Sequence, residues 1–138
     1  MMTCRPDRRK IGILPIYMLL ILTLSLIPMH REIRGFQFII NTDSLFQNLM
    51  HIPVYAFLAI LWLKILRIYA FKGWKMLFFV VLFSVGFGIL IEFIQMTIPG
   101  RYPSMVDMGL NTIGAFVGIL IYFLLERSRS SFIRRLVC

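Results

Sequence analysis

Residues 76-MLFFVVLFSVGFGILI-91 run for 16 positions without a charge, bounded by Lys75 and Glu92. A helix on a soluble protein would place polar residues along one face of such a run, and this one is apolar on all sides apart from Ser84. Three further windows have the same character, between Lys10 and His30, between Asp43 and Lys64, and between Asp107 and Glu126. Each holds 16 to 20 uncharged residues, close to what crosses a hydrocarbon core of about 30 Å with every backbone group bonded inside its own helix. The windows predict helices at about 11–28, 48–66, 76–96 and 106–125. The expected fold is an all-α integral membrane protein, a single domain over 1–138 with four transmembrane helices in an antiparallel bundle.

Composition agrees. Of the 138 residues, 59% are hydrophobic and 15% charged, against about 25% charged in soluble domains, and the mean hydropathy is +0.85. Thirteen Phe and nine Met on a soluble surface would form large apolar patches. Disordered chains and disulfide scaffolds are excluded by the same numbers. Pro15 and Pro53 fall near the starts of their helices, where a missing N–H costs little. The first window is longer than a signal peptide's apolar core and no small-residue cleavage site follows Pro28, so it is expected to stay attached.

The net charge of +9 would suggest nucleic acid in a soluble protein, but here Lys and Arg act first as topology determinants. The N-terminal tail carries Arg5, Arg8, Arg9 and Lys10, the second connection Lys64, Arg67, Lys72 and Lys75, and the C-terminal tail Arg127, Arg129, Arg134 and Arg135. The other two connections hold Arg31, Arg34 and Arg101. Twelve against three predicts both termini in the cytoplasm, N-in and C-in, and reads the basic surplus as mostly topology signal, with some contact to anionic lipid, rather than as a nucleic-acid patch. Cys4 and Cys138 then lie in the reducing compartment, where no disulfide is expected. No cofactor motif and no metal-ligand pair at helical spacing are present.

With that topology the unusual polar residues gather at the outer ends of the helices. Asn48, His51 and Tyr55 share a face of the second helix, as do Ser84, Gly88, Glu92 and Gln95 on the third and Asp107, Asn111, Gly114 and Gly118 on the fourth. A carboxyl about one turn inside an apolar helix costs about 2.5 kcal/mol or more unless it is paired or hydrated. Arg101, in the turn 99-PGRYPS-104, has the fork geometry to hold Glu92 or Asp107. His51 could donate to either carboxylate, with Tyr55 completing the network from one turn deeper. Gly114 and Gly118 read as a smooth packing stripe bringing the third and fourth helices together. The set His51, Tyr55, Glu92, Gln95, Arg101, Asp107 and Asn111 has two readings: a structural clasp fixing helix register, or a functional site.

The stretch 92-EFIQMTIPGRYPSMVDMGLNTIGAFVG-118 resembles the signature of the VanZ-like family of bacterial membrane proteins. The pattern is E-x-x-Q, then P-G-R, then D-x-x-x-N-x-x-G-x-x-x-G, filled by Glu92, Gln95, Pro99, Gly100, Arg101, Asp107, Asn111, Gly114 and Gly118. Upstream, 51-HIPVYAFLA-59 is similar to the family's His-x-x-x-Tyr helix. Many relatives carry Asp-Lys just before that helix, where this chain has Gln47-Asn48. The resemblance implies a small multi-pass protein of the bacterial plasma membrane, in a family named for resistance to a lipid-tailed glycopeptide of the teicoplanin type. It implies no agreed reaction.

Three functions fit these residues. The outer pocket could bind an amphiphile, an envelope lipid or a lipid-tailed drug, with Arg101 and Tyr102 on the headgroup and Phe-rich helices on the chain. The chain could instead be an intramembrane enzyme on a lipid-linked substrate, with His51 as acid or base oriented by Glu92 or Asp107 and no evident nucleophile beyond Ser104 or Tyr102. A scaffold whose glycine stripe serves a partner helix is the third. The predicted topology is checked by thiol labelling of intact cells: a cysteine placed at Ser104 should react with a membrane-impermeant reagent while Cys4 and Cys138 stay protected.

Overall fold

The computed structural model describes residues 12–26, 48–98 and 104–137, with side chains of the last helix described as far as residue 128. Four helices follow one another: α1 (Ile13–Ser25), α2 (His51–Ile68), α3 (Gly73–Gln95) and α4 (Met105–Val137). Three of them, α2, α3 and the stretch Met105–Ser128 of α4, are long and apolar enough to cross a membrane, and α1 is a shorter apolar helix. Gln47, like the residues from 27 onward that precede it, lies outside the described residues.

The helices depart from the expected boundaries where charge and helix ends part company. α3 begins at Gly73 rather than 76, so that Trp74 and Lys75 occupy its first turn, where a long basic side chain can reach the interface. α4 continues to Val137 instead of stopping near 125. Its last third, 126-ERSRSSFIRRLV-137, contains neither Gly nor Pro, and charge ends a membrane span without ending a helix. At 1.5 Å per residue the 33 residues of α4 reach about 50 Å, well past a bilayer core.

α2 is the axis of the bundle. Eight of its 18 residues are buried, among them Tyr55, Leu58, Leu61 and Ile65 towards α1 and α3, and Ala59, Leu63 and Leu66 towards α3 and α4. Burial on several faces follows from its having α1, α3 and α4 packed around it. Tyr17 of α1 donates its hydroxyl proton to the Val54 carbonyl (3.0 Å) and sets its ring edge-on against Phe57 (5.0 Å). Gln95 Nε2 donates to the Ser25 carbonyl (2.8 Å), satisfying one of the acceptors left open in the last turn of α1.

The closest contact joins α2 to α4. These two helices run parallel and in register, as an up-down-up-down order requires of alternate members: His51 pairs with Asn111 at one end, and Arg67 pairs with Tyr122 and Glu126 at the other. The steps of 16 residues from His51 to Arg67 and 15 from Asn111 to Glu126 span about 24 Å and 22 Å, so the pairing holds over the full depth. Between these ties, a Cβ built on Gly114 would lie 2.6 Å from the Ile52 carbonyl oxygen, and one on Gly118 would overlap the Ala56 carbonyl. Both contacts are with main chain, which cannot swing away. The glycine stripe therefore packs α4 on α2, not on α3 as the sequence led us to expect. Membrane helices gain nothing from hydrophobic drive against each other, and such main-chain approach supplies the van der Waals contact in its place.

α2 and α3 are joined by a tight turn. Phe71 N–H bonds to Leu66 O (3.0 Å) and Ala70 N–H to Arg67 O (3.1 Å), the bond pair of a Schellman helix end. The left-handed residue is Ala70 (φ 61°), and Gly73, the first residue of α3, adds a second positive φ (61°) five residues after the last residue of α2. The chain thus reverses within four residues, setting α3 antiparallel to α2.

The main-chain contact of Gly118 is open to test against Gly86, where an added Cβ meets nothing within 4 Å. Gly118→Ala should destabilise the bundle by about 1–3 kcal/mol and lower folded yield, whereas Gly86→Ala should be neutral or gain up to about 1 kcal/mol from helix propensity. Melting in detergent measures both.

Candidate functional site

The polar cluster is built at the end of the bundle where α3 hands the chain to α4. Glu92, one turn before the end of α3, is 1% exposed. Its Oε2 accepts the backbone N–H of Ser104 (3.0 Å). Ser104 in turn caps α4: its hydroxyl accepts the N–H of Asp107 (3.2 Å), and its carbonyl accepts the N–H of Met108 (3.2 Å) as the first bond of the helix.

This arrangement is a capping box with one side exchanged. In the usual Ser-x-x-Glu form, the hydroxyl of the first residue takes the N–H of the fourth, and the carboxylate of the fourth reaches back to the N–H of the first. Here the first bond is present, but the N–H of Ser104 is taken by Glu92 from the preceding helix. Asp107 is displaced from its customary partner, and its Oδ1 is buried with no hydrogen-bond partner among the described residues. A carboxylate beside the N-terminus of a helix is favoured by the helix dipole, which applies to Asp107 and to Glu92 alike. Glu92 is thus held by the main chain at the start of α4.

One turn deeper lies the second half of the cluster. His51 Nδ1 and Asn111 Oδ1 are 2.8 Å apart. An amide oxygen only accepts, so with this amide orientation Nδ1 carries the proton, and in the neutral imidazole Nε2 presents a lone pair. Asn111 is 2% exposed and His51 half-buried. Tyr55, itself 2% exposed, stacks beneath the imidazole with ring centroids 6.3 Å apart. Gly88 makes room for this pair: a Cβ there would sit 2.7 Å from Asn111 Nδ2 and 3.3 Å from the Tyr55 hydroxyl. Gly88 is four residues before Glu92 on α3, and Asn111 four after Asp107 on α4, so the two halves are stacked about 6 Å apart.

Of the residues singled out from the sequence, His51, Tyr55 and Asn111 come together at one level, and Glu92 with the start of α4 at the next. The partner of His51 is the Asn111 amide where a carboxylate was expected. Gln95 turns to α1 and takes part in holding that helix. Arg101, with Pro99, Gly100, Tyr102 and Pro103, lies outside the described residues. Ser104 has a place the sequence reading missed, although 104-SMVD-107 carries the capping signal directly before an apolar run. Ser84, on the stripe below Gly88, is fully buried with its hydroxyl unpartnered among the described residues. Among the described residues no three His, Cys, Asp or Glu side chains are grouped as a metal site would require.

The Asn111 bond can be weighed directly. Asn111→Leu keeps volume but leaves Nδ1–H of a half-buried imidazole unpaired, and should cost about 1 kcal/mol or more in detergent melting. Thr112→Val, which removes only a hydroxyl bonded within its own helix to Met108 O (2.9 Å), should leave the melting unchanged.

Residues 10–126 match the model of the VanZ/LLP1 family, and the chain belongs to that family. No curated protein and no solved structure gives a match.

Proposed function

From the premise that this is a VanZ/LLP1 protein embedded in the membrane, we propose that its polar cluster binds the headgroup of an amphiphile at the outer face of the plasma membrane. The observation that carries this reading is Asp107 Oδ1, an acceptor displaced from its capping bond and, among the described residues, without a partner in a buried setting. A buried acceptor of this kind is costly until a donor meets it. A hydroxyl or amine on a lipid or lipid-tailed headgroup is such a donor. His51 Nε2, one turn away with Nδ1 anchored on Asn111, offers a second acceptor to the same hydroxyl-rich group. Arg101, three residues before Ser104 in the chain, supplies the cation for a phosphate or carboxylate.

The lipid-facing sides of the helices around the cluster suit the rest of an amphiphile. Phe93 of α3 and Val106 of α4 are exposed at this level, with Leu90, Ile113 and Phe116 below them. A molecule whose head is held by Asp107 and His51 can lay its chain along these residues without leaving the bilayer. The twelve-to-three distribution of basic residues supports N-in and C-in orientation, which turns the cluster outward, toward envelope lipids and toward lipid-tailed glycopeptides. Sequestering such a molecule would be a route to the resistance for which the family is named.

One observation favours an enzymatic reading as the alternative. An imidazole with Nδ1–H fixed and Nε2 bare is oriented as a general base is. In that reading Asp107 would position a hydroxyl of a lipid-linked substrate, and His51 Nε2 would accept the proton of that hydroxyl.

A paired assay separates a working site from a clasp: melting temperature in detergent beside sensitivity to a lipid-tailed glycopeptide in a host lacking its own copy. Asp107→Asn keeps the shape of the side chain, and its backbone N–H still reaches Ser104, so stability should change by less than about 1 kcal/mol while the phenotype is lost. Glu92→Gln keeps an acceptor for Ser104 N–H and should behave similarly, with the larger fall in stability because its side chain is fully buried. Wild-type phenotype in both at wild-type abundance would exclude the binding site, as would loss that only follows abundance.

A further inference from the structure

At the opposite end of the bundle the turn between α2 and α3 leaves an open cleft of about 440 Å³ against α4. Its wall is apolar, formed by Phe71, Met76, Leu77 and Phe123, and two cations, Arg67 and Lys72, share the lining. Here we infer that this cleft is a binding site for an anionic phospholipid, with the phosphate held at Lys72 and Arg67 and an acyl chain running along Leu77 and Phe123.

Three features carry the assignment. The first is height in the membrane. Tyr69 and Trp74 flank the turn and are 61% and 72% exposed, and exposed Tyr and Trp at helix ends mark the headgroup level of a bilayer. A cleft beside them faces lipid headgroups, not bulk water. The second is charge. Lys64, Lys72, Lys75 and Arg127 are exposed at this end. The one acidic residue among the described residues here, Glu126, is already paired with Arg67. The Arg67 guanidinium is positioned by that pair, by the Tyr122 hydroxyl (2.7 Å) and by the Tyr122 ring beneath it (5.8 Å to the centroid). A fixed guanidinium beside a mobile ammonium suits a phosphodiester, which both side chains bind well. The third is continuity with the acyl region. Phe123 is 41% exposed, and Leu120 and Leu124 lie exposed beside it on α4, so a chain leaving the cleft meets the lipid-facing surface directly. The tight turn fixes the site: Ala70 and Gly73, both at φ 61°, hold Lys72 over the gap between the two helices.

Bromine-labelled lipids test the assignment through Trp74, which adjoins the cleft. In the full chain carrying Trp62→Phe, Trp74 is the sole tryptophan, and Phe retains the stacking of residue 62 on Phe83. The protein is placed in phosphatidylcholine vesicles doped with brominated phosphatidylglycerol or with brominated phosphatidylcholine. Quenching should favour phosphatidylglycerol by about fivefold in apparent affinity, the preference expected of one basic residue at an anionic headgroup. Lys72→Gln should bring the ratio close to one, and Lys72→Arg should restore it. Lys75→Gln removes the same charge from an exposed position outside the cleft and should leave most of the preference. Native mass spectrometry of the unaltered chain should retain phosphatidylglycerol over phosphatidylcholine in the same order. Equal quenching by the two lipids, an unchanged ratio in Lys72→Gln, or equal loss in Lys75→Gln would each overturn the site, the last by tracing the preference to diffuse surface charge.

Discussion

Where Gly114 and Gly118 lie on the carbonyls of Ile52 and Ala56, α2 and α4 meet main chain to main chain, and the polar end of the molecule depends on that approach. A side chain at either glycine would push the helices apart, and the short bond between His51 and Asn111 could not then form. The same contact fixes α4 in depth relative to α2 and carries the start of α4 to the level of Glu92. Parallel packing of two helices separated in sequence by a third is what places His51 beside Asn111, 60 residues later. The ion pair of Arg67 with Glu126 pins the far end of the same pair. Lipid offers no hydrophobic drive to hold helices together, so geometric fit at small residues and a few hydrogen bonds must suffice.

Within that frame, the exchange at the start of α4 gives the site its character. Glu92 fills the place that Asp107 would hold in an ordinary capping box. The exchange solves one difficulty, since a fully buried carboxylate on an apolar helix needs donors and the N-terminus of α4 provides one. It creates another, since Asp107 Oδ1 is buried without a partner among the described residues. Asking where each hydrogen bond goes therefore distinguishes two carboxylates that look alike in the sequence: Glu92 accepts from the main chain at the start of α4, and Asp107 Oδ1 has no partner among the described residues.

The sequence made the helices and the membrane legible because both rest on local properties: apolar run length, and the absence of charge over a known thickness. Family membership was legible for a related reason, as the residues from Glu92 to Gly118 form a continuous pattern that includes the turn between two helices. Packing partners were harder to read. Gly114 and Gly118 announce a smooth face but not which helix lies on it, and the next helix in sequence was the wrong guess because alternate helices of this bundle are the closest pair. The partner of His51 was misread for the same reason: a carboxylate attracts attention by its charge, while the amide of Asn111 is the group that α2–α4 register brings within reach. Helix ends were read too early where charge closed the apolar window, as at Glu126 in α4, because a helix continues into water as long as its residues allow.

The central claim is that Asp107 and His51 hold a headgroup at the mouth of the α3–α4 junction, and in-cell photocrosslinking addresses it most directly. A photoreactive residue is placed in turn at Ser104, beside the cluster, and at Gly109, which lies about 7.5 Å further along α4 and is exposed with open space around it. Identification of the captured molecules by mass spectrometry should give a distinct envelope lipid or lipid-tailed headgroup at position 104, absent at 109 and lost at 104 when Asp107→Asn is added. Capture of the same bulk phospholipids at both positions, indifferent to Asp107→Asn, would contradict the account.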